Sequence, residues 1–186
     1  MEGRAPGCNP VACNSIVGSI PTAPTNLEVD QMESIGFRFI ASLMRLLRRE
    51  RFEIGRKTDV YLTRWNLFGK KGKGQRRLLL HYFHRSDYDG ALHDHPWPFT
   101  SLIIWPGYWE WTSEGARWYG PLSILRRPAD WAHRVELDNN GKSKCWTIVL
   151  TGTKNREWGF FCPKGWRHWR EFEKQEELHG EGCGED

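Results

Sequence analysis

The sequence predicts an all-β fold that is preceded by one amphipathic helix. Aromatic residues make up 13% of the 186 residues and 19 glycines accompany them, a composition that suits strands and turns better than a helix bundle. Beyond Gly55, short runs of strand-forming residues recur at intervals of about ten residues, as they do in barrels and sandwiches. A single stretch with a three- and four-residue hydrophobic period comes before them, and it predicts the helix.

Four segments follow from this pattern. Residues 1–29 are rich in Gly, Pro, Asn, Ser and Thr without a sustained period, which predicts a flexible tail. Residues 30–54 are the predicted helix, with Asp30 and Glu33 resembling a capping box. Its apolar face is predicted to consist of Met32, Ile35, Phe39, Leu43, Leu46 and Leu47. Residues 55–172 are the predicted barrel and 173–186 a polar C-terminal tail.

Within the predicted barrel, turn residues separate ten candidate strands. They are Val60–Phe68, Arg76–His84, Ala91–His95, Thr100–Trp105, Tyr108–Thr112, Arg117–Tyr119, Leu122–Arg126, Trp131–Leu137, Cys145–Thr151 and Arg156–Cys162. The Asn140-Gly141 pair is a strong hairpin signal, so Trp131–Leu137 is predicted to pair with Cys145–Thr151. A short helix is expected from about Trp166.

Charge, hydropathy and cysteine content limit the kinds of partner and the cellular compartment that we expect. The net charge of +4 is too small to indicate a nucleic-acid partner. The mean hydropathy is −0.66, no stretch approaches the roughly 20 apolar residues of a membrane span, and the first residues lack the apolar region of a secretory signal. The five cysteines form no CxxC pair, which favours free thiols in a reducing compartment. We therefore expect a cytoplasmic protein without a membrane partner.

The segment from His93 to His95 carries the chemistry. Residues two apart on a strand point to the same face, so both imidazoles can reach one metal ion while Asp94 points away. A third histidine, His133, follows Pro128 at the start of another strand. Three neutral imidazoles hold a divalent ion and leave positions open for substrate or water. The alternative is that these histidines are only packed or solvated side chains.

Four further residues are candidates for substrate contacts: Arg126, Arg156, Tyr82 and Trp97. An inward arginine would bind a substrate carboxylate or phosphate through two parallel hydrogen bonds. Tyr82 would supply a phenol to bound oxygen, and Trp97 would offer a surface for stacking. The alternatives are surface salt bridges for the arginines and simple packing for the aromatic residues. Strand parity also makes His81 a candidate to support the site.

The histidine segments resemble the two motifs of the cupin family. His93, His95 and Gly107 match the first motif, and Pro128 and His133 match the second. The wider string HYFHRSDYDGALHDHPWPFTSLI also resembles small uncharacterised cupin-like proteins of phage and bacteria. The chain departs from the family at three positions: Phe99 or Thr100 replaces the motif glutamate, Asp130 a glycine and Leu137 an asparagine.

The resemblance implies a double-stranded β-helix barrel and a metal site made of three histidines. Cupin thiol dioxygenases use a three-histidine iron site, so the resemblance points to a non-haem Fe(II) dioxygenase acting on a small polar or anionic substrate. Zn, Ni or Mn would also accept imidazole ligands. Because cupins often pair through barrel edges, a homodimer is a further expectation.

Two other functions stay open at this stage. A metal-dependent hydrolase or isomerase would use the ion as a Lewis acid, with Glu110 or Glu136 as a base if either turns inward. A non-catalytic ligand-binding cupin would hold an anion or nucleotide without turnover.

Overall fold

The computed structural model describes residues 26–56, 59–70, 74–87, 90–138, 143–172 and 182–183. They contain one helix, α1 (Asn26–Leu46), and twelve strands. The strands are β1 (Arg51–Arg56), β2 (Asp59–Phe68), β3 (Arg77–Phe83), β4 (Leu92–His93), β5 (Phe99–Trp105), β6 (Tyr108–Thr112), β7 (Gly115–Tyr119), β8 (Ile124–Arg127), β9 (Arg134–Glu136), β10 (Cys145–Thr151), β11 (Gly159–Cys162) and β12 (Gly165–His168). Most of the two predicted tails lies outside the described residues.

Six strands form one antiparallel sheet in the order β1-β2-β3-β10-β5-β8. Side chains alternate across it, as the pleat requires. On β3, His81 and Phe83 face the interior, whereas Leu80 and Tyr82 face the outside, where α1 packs. The parity of each strand therefore decides which polar residues can reach the interior.

Two three-stranded sheets, in the orders β12-β11-β4 and β7-β6-β9, form the other wall. They meet at an isolated antiparallel bridge between His93 and His133, whose amides bond each other's carbonyls at 2.8 and 3.0 Å. The core between the walls is a buried cluster of Leu62, Phe83, Ile103, Tyr108, Leu125, Val135, Leu137 and Cys145. These sheets and the helix confirm the predicted all-β class with an N-terminal helix.

Helix α1 packs on the outer face of the six-stranded sheet, but through a different face than predicted. Its contact row is Phe37, Ile40, Ala41 and Met44, which lie against Trp65, Leu80, Tyr82 and Trp146. On the predicted face, Ile35 and Phe39 are 66% and 67% exposed. The helix carries two apolar rows, and a hydrophobic period does not indicate which of them meets the sheet.

The helix also has different ends from the predicted 30–54. It begins at Asn26, so Asp30 lies inside it and not at its N-cap. Past Leu46, the Arg49 amide bonds the Met44 carbonyl and Arg48 has φ 51°, a left-handed conformation that ends the helix. Arg51–Arg56 then forms β1 and pairs with β2, so the helical prediction for that segment was wrong.

Two other local predictions need correction. The segment from Gly165 to His168 forms β12, and the helix expected from about Trp166 begins at Trp169, with residues 169–172 helical in the described part of the chain. The expected hairpin across Asn140-Gly141 is not formed, because β9 pairs with β6 while β10 pairs with β3 and β5. Turn residues indicate only local pairing, whereas these long-range strand pairings are stabilised by the core of the barrel.

The cysteines depart from the free-thiol prediction. Cys162, at the end of β11, forms a disulfide with Cys183, 21 residues later. Cys145 is a buried thiol of the core. A bridge between a strand and the C-terminal segment is the pairing that sequence spacing alone does not reveal.

Candidate metal centre

The structure brings His93, His95 and His133 together on the wall opposite the six-stranded sheet. One ligand nitrogen of each lies within 4.8 Å of those of the other two. The closest pair is His95 Nε2 and His133 Nε2, which are 2.8 Å apart. The predicted three-histidine cluster is therefore present, and metal binding by it stays a prediction.

Main-chain contacts hold the three histidines in place. His93 and His133 are bridged directly through their backbones, and the amide of His95 donates to the carbonyl of Ala129 at 2.9 Å. The backbones of His93 and His95 are thus both hydrogen-bonded to the segment 129–133, which carries the third ligand. The imidazole positions depend on strand pairing more than on the conformation of a free loop.

Asp94 lies between the first two ligands and faces away from them, as predicted. It is fully buried, and its Oδ1 accepts the Gly159 amide at 2.8 Å. Its Oδ2 accepts Trp166 Nε1 at 3.2 Å and pairs with Arg156 at 2.9 Å. Asp94 thus links the histidine segment to β11 and β12. Arg156, predicted as a substrate contact, pairs with Asp94 and does not line the cavity that the histidines face.

Glu110 on β6 contacts His133 from the side away from the cavity. This carboxylate is 2% exposed and its Oε1 accepts His133 Nδ1 at 2.8 Å. Arg127 donates to both carboxylate oxygens and Trp131 Nε1 donates to Oε1 at 3.3 Å. Burial by itself would raise the pKa of Glu110, but the hydrogen bonds from His133 and Arg127 lower it to about 2.

The donor set fits a divalent metal ion. Because an ionised carboxylate only accepts, His133 Nδ1 carries the proton and its Nε2 presents a lone pair towards His95. Because the three ligand nitrogens lie within 4.8 Å of one another, His93, His95 and His133 would all be able to hold the same ion. Burial lowers the pKa of His93 to about 4 and that of His95 well below its usual value, so both are neutral ligands at pH 7.

A second acid lies near His93. Asp87 Oδ2 is 3.8 Å from His93 Nδ1, and it also accepts the amide of Val135. Asp87 therefore contacts both the first ligand and the strand that follows the third. Asp87 was not predicted from the sequence because it lies in the turn before the histidine motif, where acids are common for conformational reasons.

The histidines open into a cavity of about 220 Å³. Its apolar lining is supplied mainly by Ile54, Leu62, Leu79, Phe83, Val135, Val149 and Trp158, and its polar lining by Tyr61, Arg64, His81, Ser101, Tyr108, Thr147 and Thr151. Phe99 occupies the position of the cupin glutamate, and its ring lies 4.7 Å from that of His95. Trp97 also lines the cavity, with the Arg77 guanidinium 5.0 Å from its ring.

The other two predicted substrate residues point away from this cavity. Arg126 is exposed on the outer surface of β8, because Leu125 and Arg127 occupy the inward positions. Tyr82 is buried between β3 and helix α1, with its ring 4.5 Å from that of Trp146. Neither side chain therefore lines the cavity of the histidines. Arg126 was predicted to face inward from strand parity, and one residue of error in a strand boundary reverses parity.

Sequence reasoning also missed Arg64, which lines the cavity from β2. Its Nε donates to His81 Nε2 at 3.0 Å. His81 was predicted to support the site, and it does face the interior. An arginine on an interior strand position would have been noticed if the register of β2 against β3 had been known.

No family model matches this sequence, and no curated protein matches it. The chain is similar to solved cupin domains. A cupin-2 domain from Rhodospirillum rubrum, Rru_A2000, is 11% identical over 63% of this chain and 78% of its own, with a TM-score of 0.49. A cupin 2 conserved barrel protein from Rhodopseudomonas palustris is 10% identical over 71% and 88%, also at 0.49.

The polyketide cyclase RemF from Streptomyces resistomycificus is 13% identical over 66% of this chain and 93% of its own, with a TM-score of 0.47. These similarities concern the fold alone, so the chemistry of the site rests on its own geometry.

Proposed function

We propose that this protein is a metalloenzyme in which His93, His95 and His133 hold one divalent ion, with Fe(II) favoured over Zn, Ni or Mn. The observation that carries the proposal is the convergence of three imidazoles on one wall of a cavity, with ligand nitrogens within 4.8 Å of one another. When bound, such an ion supplies open coordination positions for substrate and O₂. The residues around it position the ligands and exclude bulk water.

A non-haem Fe(II) dioxygenase is the reaction class that we propose. A hydrolase or isomerase would need a base in the cavity, and no carboxylate lines the cavity among the residues that the structure describes. Glu110 is occupied by His133 and Arg127, and Glu136 is 39% exposed and pairs with Arg134 at 3.1 Å. Both acids named from the sequence as candidate bases are therefore unsuited to that role.

The cavity limits the substrate. At about 30 Å³ per water molecule, 220 Å³ holds about seven waters, which suits a compound of a few carbon atoms. The lining joins apolar walls to a few polar groups, as ligand sites commonly do. We propose a small polar or anionic substrate, with Trp97 as a packing surface at one side.

The test is oxygen consumption by the Fe(II)-loaded protein with a panel of small thiols, diketones and phenols, without added 2-oxoglutarate. We expect turnover with at least one compound, and loss of turnover in the His93→Ala protein. The Zn-loaded protein is the matched control. Turnover that continues without oxygen, or that runs equally well with zinc, would reject the dioxygenase and leave the Lewis-acid alternative.

A homodimer remains part of the proposal. Strand β8 is an edge of the six-stranded sheet, and it carries Ile124, 66% exposed, beside Leu122, 77% exposed. Light scattering of the wild type and an Ile124→Lys variant tests this, with a dimer expected only for the wild type.

In the described part of the chain, α1 is not apolar enough to cross a membrane. The cytoplasmic location stays a prediction.

A further inference from the structure

Helix α1 has a second apolar row on the side away from the sheet. At 3.6 residues per turn, positions three and four apart share one face of a helix, and the face opposite the sheet contacts carries such a series. We call it the outer row, and it consists of Ile35, Phe39, Leu43, Leu46 and Leu47. All five are exposed, Leu46 the most at 78%, and none belongs to a buried apolar cluster of the described residues.

The outer row forms one continuous strip. Single exposed apolar side chains are normal on soluble proteins, but contiguous ones commonly mark a binding surface. From Ile35 to Leu46 the strip runs for about 17 Å along the helix. The helix does not need this strip in order to pack on the barrel, because its other face contacts Trp65, Leu80 and Trp146. The outer row is therefore available to a partner.

Positive charge is concentrated beside the outer row. Between residues 34 and 51 the chain has five arginines and a single acid, Glu50, whereas the acids of α1 all come earlier. The four exposed arginines next to the row are Arg38, Arg45, Arg48 and Arg49. Two helical turns separate the first two of them, which places both along one edge of the row. None of the four is in an ion pair among the described residues, whereas Arg51 pairs with Glu53.

The position of the outer row selects the shape of its partner. A protein that encloses a helix needs most of its circumference, but the inner face of α1 is held by the sheet. A flat surface needs one face only. The helix dipole accounts for cations at this end of α1, but not for the apolar side chains exposed beside them. An apolar strip edged with arginines is typical of helices that lie in the interface of an anionic membrane.

We propose that the second half of α1 docks this protein onto an anionic lipid surface. The outer row enters the boundary between headgroups and acyl chains, and the four arginines contact the negative headgroups. The expectation of no membrane partner was based on the lack of a spanning stretch, and an interfacial helix does not span the bilayer. This inference goes beyond the proposed function and is independent of the metal centre.

Vesicle sedimentation of the metal-free protein tests the proposal. Vesicles of phosphatidylcholine with about 30% phosphatidylglycerol supply the anionic surface, and vesicles of phosphatidylcholine alone supply the matched neutral one. We expect binding to the anionic vesicles to be at least about tenfold tighter, and to weaken as salt screens the arginines. Anionic vesicles should also slow hydrogen exchange at the amides of residues 35–47 and leave those of β7 unchanged.

Two double variants separate the apolar contribution from the charged one. Phe39→Ser combined with Leu46→Ser removes two exposed side chains of the outer row and should weaken binding to anionic vesicles at least about tenfold. Arg45→Gln combined with Arg49→Gln keeps the row and should lower the preference for anionic over neutral vesicles about tenfold.

The matched controls lie on the opposite wall of the barrel. Phe161→Ser changes an exposed apolar residue of β11, and Arg117→Gln changes an exposed cation of β7. Both should bind anionic vesicles as the wild type does. If the Phe39→Ser, Leu46→Ser protein fails to fold, as judged by circular dichroism, Ile35→Ser and the arginine variant decide the matter.

Several results would overturn the proposal. They are no binding of the wild type to anionic vesicles, equal binding to both kinds of vesicle, wild-type binding by either double variant, and an equal loss in the two controls. A wild type that ignores vesicles but forms a dimer, which Phe39→Ser with Leu46→Ser converts to a monomer, would assign the outer row to a second copy of the chain. None of these results depends on metal content, so the proposed function stands or fails separately.

Discussion

The two polar groups of the cavity differ in the residues that contact them from outside. Behind the histidine cluster, Glu110 accepts from His133, and Asp87 lies 3.8 Å from His93. The opposite wall carries the Arg64 row, which crosses β2, β3 and β10 and consists of Arg64, His81 and Thr147. Behind this row, the sheet meets helix α1 through apolar side chains. One group has the buried acid Glu110 and the half-buried acid Asp87 behind it, and the other is backed by an apolar layer.

This difference gives the two walls different chemistry. Carboxylates behind a ligand imidazole fix its tautomer and orientation and increase its basicity, which prepares it for a cation. In the described part of the chain, the Arg64 guanidinium has no acid and the Thr147 hydroxyl no partner, which leaves charge and hydrogen-bonding capacity unused. The cavity is thus polarised, with acids behind one wall and a cation on the opposite wall.

Removal of one histidine ligand should have the largest effect on the metal-binding wall. His133→Ala takes away one of three imidazoles and leaves Glu110 without its histidine donor, so we expect metal occupancy to fall to background. Metal analysis after loading with Fe(II) or Co(II) measures this. His168→Ala is the control, because His168 pairs with Glu157 away from the cluster and its loss should leave the metal content unchanged. Full occupancy in His133→Ala would remove His133 from the ligand set.

A smaller loss should follow from Glu110→Gln. The amide cannot match a carboxylate as acceptor for both His133 and Arg127, so the orientation of the imidazole is less well fixed. Loss of such a supporting acid typically weakens metal binding about 10–100-fold. Competition with a chelating dye measures the dissociation constant. Glu136→Gln alters an exposed acid on the neighbouring strand and should bind metal as the wild type does; equal affinity in both variants would contradict the role of Glu110.

A fall in pH should destabilise the protein through Glu110, the carboxylate that supports the histidine wall. The hydrogen bonds from His133 and Arg127 outweigh burial and lower the pKa of Glu110 from its ordinary value of 4.5 to about 2 in the folded protein. Its contribution to the free energy of unfolding is therefore complete above about pH 4.5 and is lost as the pH falls towards 2. Urea midpoints of the metal-free protein, measured from pH 6 to 2.5, should decline less steeply in Glu110→Gln than in the wild type. Parallel curves would show that this carboxylate is not coupled to folding.

The smallest effect is expected at Thr147. Because its buried hydroxyl has no partner, Thr147→Val exchanges it for a methyl group at almost no cost in hydrogen bonds. We expect the free energy of unfolding of the ligand-free protein to stay within about 1 kcal/mol of the wild type, or to rise. The comparison variant is Thr151→Val, whose hydroxyl accepts the Arg77 amide and should be missed. A clear loss of stability in Thr147→Val would mean that the hydroxyl is satisfied.

The sequence predicted the histidine wall of this cavity, but on the opposite wall it indicated His81 alone and missed Arg64 and Thr147. His93 and His95 share a strand face at a spacing of two, and His133 completes a motif, so their convergence could be predicted without a register. The Arg64 row exists only because β2, β3 and β10 pair in one particular register. No local pattern links residues 64, 81 and 147, since strand pairing depends on the packing of the whole barrel.

The same limit explains the errors in the fold. Helix α1 was predicted from its period, but the choice between its two apolar rows depends on the sheet that it contacts. Residues 51–54 were included in the predicted helix, whereas the pairing of β1 with β2 decides their conformation. Arg126 was placed inside by counting from an approximate strand end, and an error of one residue reverses the face on which a side chain lies.

The backbone bridge between His93 and His133 has a consequence for how the protein opens. In the described chain, these two residues form the isolated bridge at which the two small sheets meet. An ion bound to both imidazoles would fasten this seam from the inside, so that neither sheet could separate without releasing it. Metal loading should then slow hydrogen exchange at the amides of His93 and His133 more than at strands far from the seam. The amides of the ligands themselves would report whether the ion joins the two sheets into one cooperative unit.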